Sequence, residues 1–154
     1  MSLKSIACPE ALAQLSQFDT IIDVRSESEF QIDRLPGAIN CPVLSDSERV
    51  QVGTLYKQVS PFDARRAGAA LVADSIARHL RSCFAERPRG WSLLVYCWRG
   101  GERSASVAHV MDRIGWRVQR LEGGYRAFRR LVVDALQVLP TRLHYRVLCG
   151  ATGS

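Results

Sequence analysis

The chain has 154 residues, of which 47% are hydrophobic and 23% charged, a size and composition that favour one globular domain with a buried core and a short tail. Its net charge of +6 comes almost wholly from arginine, since nineteen of the 21 basic residues are arginines, and such an excess is compatible with a nucleic-acid or phosphorylated partner. Because the five cysteines form no C-x-x-C pair and no apolar run reaches membrane-spanning length, we expect no disulfide framework, no zinc or other metal site, no membrane anchor and a reducing, cytoplasmic setting.

The first part of the chain reads as short strands alternating with helices. Two capping boxes, in which a glutamate follows a serine by three residues, start at Ser26 and Ser45, and Ser60 precedes a proline at a predicted helix start. The first capped helix is expected to carry Phe30 into the core, and the longest helix to bury an apolar face that ends at Phe84. In order, the predicted elements are a helix at 9–15, a strand at 20–24, a helix after Ser26, a short strand within 35–40, a helix to about 57 and a long helix at 61–84.

Two charged residues, Asp23 and Arg25, stand where the first predicted strand ends. They could take part in catalysis. They could also form an ion pair that fixes the loops beneath an active site, and this second interpretation is favoured.

The segment with the strongest candidate for a catalytic residue begins with a predicted strand. Residues 92–96 form a nearly continuous apolar run, typical of a strand buried on both faces of a parallel sheet, and Cys97 follows at its carboxyl end, where open α/β sheets bind ligands. A glycine pair, Gly100 and Gly101, and a helix predicted over 105–114 come next. Glycines permit backbone conformations closed to other residues, and the N–H groups of the loop and helix start make a pocket for negative charge.

These features make Cys97 a candidate nucleophile. Its thiolate would be stabilised by the partial positive charge of the helix start and by Arg99 or Arg103. A lone cysteine is more often a small buried hydrophobic residue, but here a strand end, glycines, arginines and a helix start coincide. The predicted site comprises the nucleophile Cys97, an anion-binding loop of Trp98, Arg99, Gly100, Gly101, Glu102 and Arg103, and the supporting residues Asp23, Arg25 and Ser104.

The remaining elements complete the predicted domain, which covers residues 1–139. The helix after the cysteine loop should end at Gly115, followed by a strand at 116–121 and a helix at 125–138 that is buried through Phe128, Leu131, Val132 and Ala135. Short strands alternating with helices predict an α/β fold with a central parallel sheet and helices on both faces. Three arginines share one arc of the last helix, where solvent exposure is favoured over phosphate binding: Arg126, Arg129 and Arg130.

Residues 140–154 read as a linker followed by the start of another domain. Residues 144–149 are strand-like and run into Gly150 and Gly153. A Gly-x-x-Gly segment after a strand is typical of the opening of a phosphate-binding P-loop, whose defining lysine is missing here. A flexible glycine-rich end is the alternative.

Several of these motifs together resemble a known family. Residues 23–30 (DVRSESEF), 36–42 (PGAINCP) and 97–104 (CWRGGERS) resemble the rhodanese, or sulfurtransferase, domain. Further segments narrow the resemblance to the bacterial tRNA 2-selenouridine synthase family: SER at 47–49, VGTLYKQ at 52–58, EGGY at 122–125 and GATGS at 150–154.

The resemblance implies a rhodanese-like fold in which Cys97 carries sulfur or selenium. Members of that family join a rhodanese domain to a P-loop domain and replace sulfur by selenium in the wobble 2-thiouridine of tRNA. It therefore implies tRNA as partner, selenophosphate as co-substrate and no cofactor. Geranyl diphosphate, linked to a geranylated tRNA intermediate, would act only through the P-loop domain. Because the P-loop lysine is absent up to Ser154, we expect this chain alone to be incomplete as an enzyme.

The spacing between the cysteine and the arginine of this loop is compatible with other functions as well. Cys97 and Arg103 form a C-x5-R pattern, one residue longer than the usual sulfurtransferase loop and equal to that of cysteine-dependent phosphatases related to this fold. A longer loop suits a larger tetrahedral anion such as selenophosphate. Tyr96 stands where those phosphatases usually carry histidine, and no general acid is evident. A stand-alone thiosulfate sulfurtransferase and an idle module that only docks tRNA or a protein are also compatible with the sequence.

Overall fold

The computed structural model describes residues 3–147 and 149–150. Strands and helices alternate along most of the chain, and two short 3-10 turns, Leu15–Gln17 and Leu139–Arg142, complete the regular structure of this part. In chain order the elements are β1 (Ser5–Ile6), α1 (Cys8–Ala13), β2 (Thr20–Asp23), α2 (Glu27–Ile32), β3 (Ala38–Asn40), α3 (Asp46–Gln58), α4 (Pro61–Arg81), β4 (Ser92–Tyr96), α5 (Glu102–Ile114), β5 (Arg117–Leu121) and α6 (Gly124–Val138).

The five strands form one parallel sheet in the order β1-β5-β4-β2-β3. Its central strand is buried on both faces, as predicted. Leu93 and Val95 belong to the core that α4 and α5 complete, whereas Leu94 and Tyr96 belong to the core that α1 and α6 complete. The predicted architecture, a parallel sheet with helices on both faces, is confirmed.

The register of β2 and β4 determines where the site lies. Asp23, the last residue of β2, is paired with Tyr96, the last residue of β4. The carboxyl ends of both strands therefore meet at one edge of the sheet, and the segments that follow them, with Arg25 and Cys97, leave the sheet side by side.

Helices α2, α3 and α4 begin where the sequence predicts, because the capping signals at their starts are local, whereas α5 begins at Glu102, three residues before its predicted start. In both predicted capping boxes the serine N–H donates to the glutamate side chain, over 3.2 Å from Ser26 to Glu29 and 2.7 Å from Ser45 to Glu48. Ser60 accepts a hydrogen bond from the backbone of the third helical residue and caps α4. The predicted strand 92–96 is β4 without change.

Two predictions about aromatic residues are wrong. Helix α4 ends at Arg81 rather than at residue 84, because the Phe84 N–H bonds to the His79 carbonyl at 3.1 Å, five residues back, and so leaves the helical hydrogen-bond pattern. Phe84 is nevertheless buried, since the following loop folds back and places its ring 5.3 Å from that of Trp91. Phe30 is only half-buried, and the guanidinium of Arg34 covers its ring.

The end of the chain also differs from expectation. Of the predicted contacts on α6, Phe128 is buried, whereas Leu131, Val132 and Ala135 are half-buried. Residues 144–147 form no strand and are exposed, because no strand of the described sheet pairs with them. The predicted division at residue 139 stays a prediction.

Candidate active site

Cys97 lies directly after β4, with its side chain only 3% exposed. Its sulfur is 3.2 Å from the hydroxyl of Ser104, which is fully buried in the first turn of α5. Ser104 also lies 3.1 Å from the Gly101 carbonyl, to which it can donate. The loop from Cys97 to Ser104 thus closes on itself through a thiol, a hydroxyl and a backbone carbonyl.

The turn after β5 holds this loop in place from the side. The Cys97 carbonyl accepts a hydrogen bond from the Tyr125 backbone at 2.9 Å, and the Trp98 carbonyl accepts one from Arg126 at 3.0 Å. Gly124 has a φ of +58°, and a Cβ there would overlap the Cys97 carbonyl oxygen. The EGGY segment therefore supports the cysteine loop, because only glycine lets the two backbones approach so closely.

The two glycines of the loop have different roles. Gly100 has a φ of +68°, and a Cβ on it would lie 2.8 Å from the Leu121 carbonyl oxygen, so glycine is required as predicted. Gly101 has a φ of −91° and open space around its Cα, so the prediction of a conformation closed to other residues is wrong for it. Its carbonyl instead accepts the Ser104 hydroxyl and the Ala105 N–H.

Several backbone N–H groups of the loop have no hydrogen-bond acceptor within the described residues. The N–H groups of residues 98–101 donate to no partner among the described residues. The N–H groups of the first turn of α5 have no intrahelical acceptor either, as at any helix start. Unpaired amides in a tight loop next to a helix start are an arrangement that binds oxyanions, and anion binding by this loop stays a prediction.

A cleft of about 430 Å³ opens beside the loop. Four arginines and one glutamate contribute to its lining, so its surroundings favour an anionic ligand. Cys97 itself is not among the lining residues, although Trp98, next to it, is. The lining residues are Arg25, Glu29, Ile32, Arg49, Trp98, Arg103, Tyr125 and Arg129.

Arg103 is held by Glu29, with 3.1 Å between its Nη1 and the carboxylate. Arg49 lies farther from the same carboxylate, at 3.9 Å. Burial alone would raise the pKa of Glu29, but Arg103 and the hydrogen bonds from Ser26 outweigh it and hold that pKa below its usual value. Glu29 is therefore a carboxylate at neutral pH, and it fixes the guanidinium that the sequence predicts as an anion ligand.

Asp23 and Arg25 form a buried ion pair, as favoured from the sequence. Arg25 is 1% exposed, and its Nη2 lies 2.6 Å from Asp23 and 2.7 Å from the Asp33 carbonyl. Its guanidinium also stacks 4.0 Å from the centre of the Tyr125 ring. Burial would lower the pKa of Arg25, but Asp23 raises it above its usual value, so Arg25 remains charged. Its contacts with Asp23, the Asp33 carbonyl and Tyr125 tie β2, α2 and α6 together.

The structure brings together some of the predicted residues and leaves others apart. Trp98, Arg103 and Arg25 line the cleft, whereas Arg99 and Glu102 are exposed outside it. In the predicted phosphate loop, Gly150 is exposed and Gly153 lies outside the described residues.

Five lining residues carry no predicted role in binding. Three of them lie within the segments that resemble the family, and one belongs to the three arginines on one arc of the last helix. Those sequence features could therefore have indicated these four as site residues. Ile32, at the end of α2, has no such signal. The five are Glu29, Ile32, Arg49, Tyr125 and Arg129.

No helix in the part of the chain that the structure describes is both long and apolar enough to cross a membrane.

The family model of the rhodanese-like domain matches residues 8–131. The chain belongs to the rhodanese-like domain family. The rhodanese-related protein of Thermoplasma volcanium has the same fold, with a TM-score of 0.55 at 18% identity over 83% of this chain and 92% of that one. Closer in sequence is the N-terminal domain of a Clostridium difficile 630 protein named provisionally as ATP/GTP binding, with a TM-score of 0.69 and 33% identity over 84% of this chain and 99% of that one.

Curated relatives of this rhodanese-like domain are longer proteins. The tRNA 2-selenouridine synthase of Aeromonas salmonicida is 36% identical over 87% of this chain and 36% of its own length. The protein of the same name from Shewanella denitrificans is 32% identical over 100% of this chain and 42% of its own length. The chain therefore spans about two fifths of the length of the curated relatives it matches.

Proposed function

We propose that the chain is the rhodanese-like domain of a tRNA 2-selenouridine synthase and that Cys97 carries sulfur or selenium during the exchange at the wobble 2-thiouridine of tRNA. The names of the relatives support this assignment. The observation that carries the mechanism is the sulfur of Cys97, 3.2 Å from Ser104 and next to a loop of unpaired amides and an arginine-lined cleft. The proposed setting is the cytoplasm, with selenophosphate as co-substrate and geranyl diphosphate acting through a separate P-loop domain.

The proposed chemistry can be written for thiosulfate, the simplest donor of this type. The Cys97 thiolate attacks the outer sulfur of thiosulfate, the S–S bond of thiosulfate breaks, and sulfite leaves with the electron pair. The product is a Cys97 persulfide. Loop amides and Arg103 hold the anionic donor. The Ser104 hydroxyl, 3.2 Å from the sulfur, rotates from the Gly101 carbonyl to donate to the thiolate before the attack.

A cysteine-dependent phosphatase is the second candidate, favoured by the C-x5-R spacing. Such an enzyme needs a general acid to protonate the leaving oxygen. Among the described residues, Glu29 is the only acidic one that lines the cleft, and its lowered pKa keeps it ionised at neutral pH. The geometry therefore supports transfer of sulfur or selenium better than phosphate ester hydrolysis.

Mass spectrometry of the intact protein tests the proposal. Incubation with thiosulfate should add the mass of one sulfur atom to the wild type, and Cys97→Ser should show no addition. Cys83→Ser is the matched control, because Cys83 is an exposed thiol away from the cleft, and it should be loaded like the wild type. Loading that persists in Cys97→Ser would refute the role of Cys97, and Cys97-dependent hydrolysis of an aryl phosphate would favour the phosphatase.

A further inference from the structure

The cleft contains an exposed aromatic side chain that the anion chemistry does not need. Trp91 and Trp116 are buried, at 2% and 9% exposure, whereas Trp98 lines the cleft with 37% of its surface exposed. A tryptophan of the catalytic loop that served only for packing would be covered like the other two. Trp98 is instead open to a ligand in the cleft.

The Trp98 ring is supported by packing against a second aromatic ring. Its ring packs against that of Tyr125, with 5.3 Å between the centroids and a tilt of 37°. Tyr125 in turn lies under the guanidinium of Arg25, and its hydroxyl donates to Asp33. Because the ion-paired Arg25 is buried, this aromatic pair has a fixed position, and the exposed part of Trp98 forms a preorganised flat surface in the cleft, on the residue that follows Cys97.

The four cleft arginines are not equivalent. Arg25 is neutralised by Asp23 and Arg103 by Glu29. Arg49 is nearly half exposed, and its Nε is as far as 3.9 Å from the carboxylate of Glu29, which Arg103 already binds more closely. Arg129 is exposed, and its Nη1 makes a long hydrogen bond of 3.5 Å to the Tyr125 hydroxyl. Arg49 and Arg129 therefore have N–H donors available for further negative groups, in addition to the anion that the loop would bind.

We propose that the cleft binds a nucleotide of single-stranded RNA, with its base stacked on Trp98 and its flanking phosphates on Arg49 and Arg129. This inference rests on the proposed function and names the residues that would place the reacting base beside Cys97. The cleft volume of about 430 Å³ falls among those of sites for organic ligands, whereas a tetrahedral anion alone would fill only part of it. Aromatic stacking requires an unpaired base, because a base within a duplex already has neighbours on both faces.

Intrinsic fluorescence provides a direct test with the wild-type protein. Since two of the three tryptophans are buried, a change in emission on titration with a short single-stranded oligouridylate reports mainly on Trp98. We expect quenching that saturates with the single strand and little with a duplex RNA of equal length. A titration that binds RNA without changing the emission, or that quenches equally with the duplex, would overturn the inference.

Variants then separate stacking from general attraction between RNA and a basic protein. Trp98→Ala should weaken binding of the single strand by at least about five-fold, the lower end of base–aromatic stacking, and Trp98→Phe by less. Arg129→Gln should also weaken it, whereas Arg130→Gln should not, because Arg130 is exposed on the same helix but outside the cleft. Equal losses in the two arginine variants, or wild-type affinity in Trp98→Ala, would refute the site.

The loading of Cys97 from thiosulfate is measured independently on the wild type. If loading occurs and the RNA results contradict the stacking site, the nucleotide inference fails alone. If the wild type takes up no sulfur, the proposed function fails whatever the RNA results are.

Discussion

Removal of the Arg25 guanidinium should be among the most destabilising single changes in this chain. Arg25→Met keeps much of the aliphatic length but leaves the carboxylate of Asp23, which is fully buried, without its cation. It also removes the hydrogen bond to the Asp33 carbonyl at 2.7 Å and the contact with Tyr125 at 4.0 Å. Loss of one partner of a buried ion pair costs about 3–5 kcal/mol, because the other charge stays buried and uncompensated.

Urea denaturation at neutral pH measures this loss as a change in the free energy of unfolding. The matched control is Arg66→Met, which removes a guanidinium 3.0 Å from Asp63 at a position where the arginine is 73% exposed. That surface pair should contribute at most about 1 kcal/mol, since water screens it. The two substitutions therefore remove the same chemical group from two arginine–aspartate pairs that differ in burial.

A second substitution keeps the reasoning testable if Arg25→Met is too unstable to measure accurately. Asp23→Asn added to Arg25→Met removes the orphaned charge, so the double variant should be more stable than Arg25→Met alone. A cost for Arg25→Met within about 1 kcal/mol of that for Arg66→Met would refute the structural role of the pair. So would a double variant less stable than the single one.

Three further predictions concern the loop and its neighbours. Gly124→Ala should lower the free energy of unfolding by at least about 1–3 kcal/mol, because its Cβ would overlap the Cys97 carbonyl, and urea denaturation checks it. Ser104→Ala should slow persulfide formation from thiosulfate about ten-fold, the scale of a hydrogen bond to a charged group, measured by timed mass spectrometry. Glu29→Gln should be less stable than the wild type at neutral pH, and the difference should shrink in acid. The reason is that Arg103 lowers the pKa of Glu29 in the folded state. The stabilisation is therefore complete above the ordinary glutamate pKa and is lost as the pH falls through the lowered pKa.

Each of these three substitutions has a matched control. Gly101→Ala should unfold at nearly the wild-type urea concentration, because a Cβ there meets nothing within 4 Å and φ is not positive. Ser106→Ala removes a hydroxyl of the same helix that donates to the Glu102 carbonyl, away from the Cys97 sulfur, and loading should proceed at the wild-type rate. Glu29→Gln made in an Arg103→Met background should cost less stability at neutral pH than in the wild type, because the cation that Glu29 contacts is already absent. The opposite result in any control would show that the effect is not specific to the named contact.

The elements that the sequence predicts well are those with local signals. The continuous apolar run of β4 is recognisable because its residues from Leu93 to Tyr96 alternate between two cores. The capped starts of α2 and α3 follow from a serine and a glutamate three residues apart, which interact with no help from the rest of the fold. Strand β1 has only two residues and exists because it pairs with β5, a contact across more than a hundred positions that no local pattern indicates.

The cleft is harder to predict for the same reason. Its residues come from the end of β2, from α2 and α3, from the Cys97 loop and from α6, and the parallel order of the sheet brings these segments to one edge. The sequence predicts that Glu29 caps α2, which it does, but the same carboxylate also binds Arg103 from 74 positions away. The helical periodicity of α6 predicts only that Arg129 faces away from the core. It gives no information about the cleft that this face of α6 lines.

The double role of Glu29 also explains how a cleft rich in arginine can be ready for an anion. A guanidinium has five N–H donors, and Glu29 accepts from Nη1 of Arg103. The carboxylate thus fixes the orientation of the side chain while other donors remain available to a ligand. Because Glu29 is itself held by the Ser26 cap at the start of α2, the position of Arg103 relative to Cys97 depends on a helix start next to the buried Asp23–Arg25 pair. The DVRSESEF segment is therefore part of the candidate active site as well as of the core, and substitutions in it should affect loading of Cys97 even where they do not touch the donor.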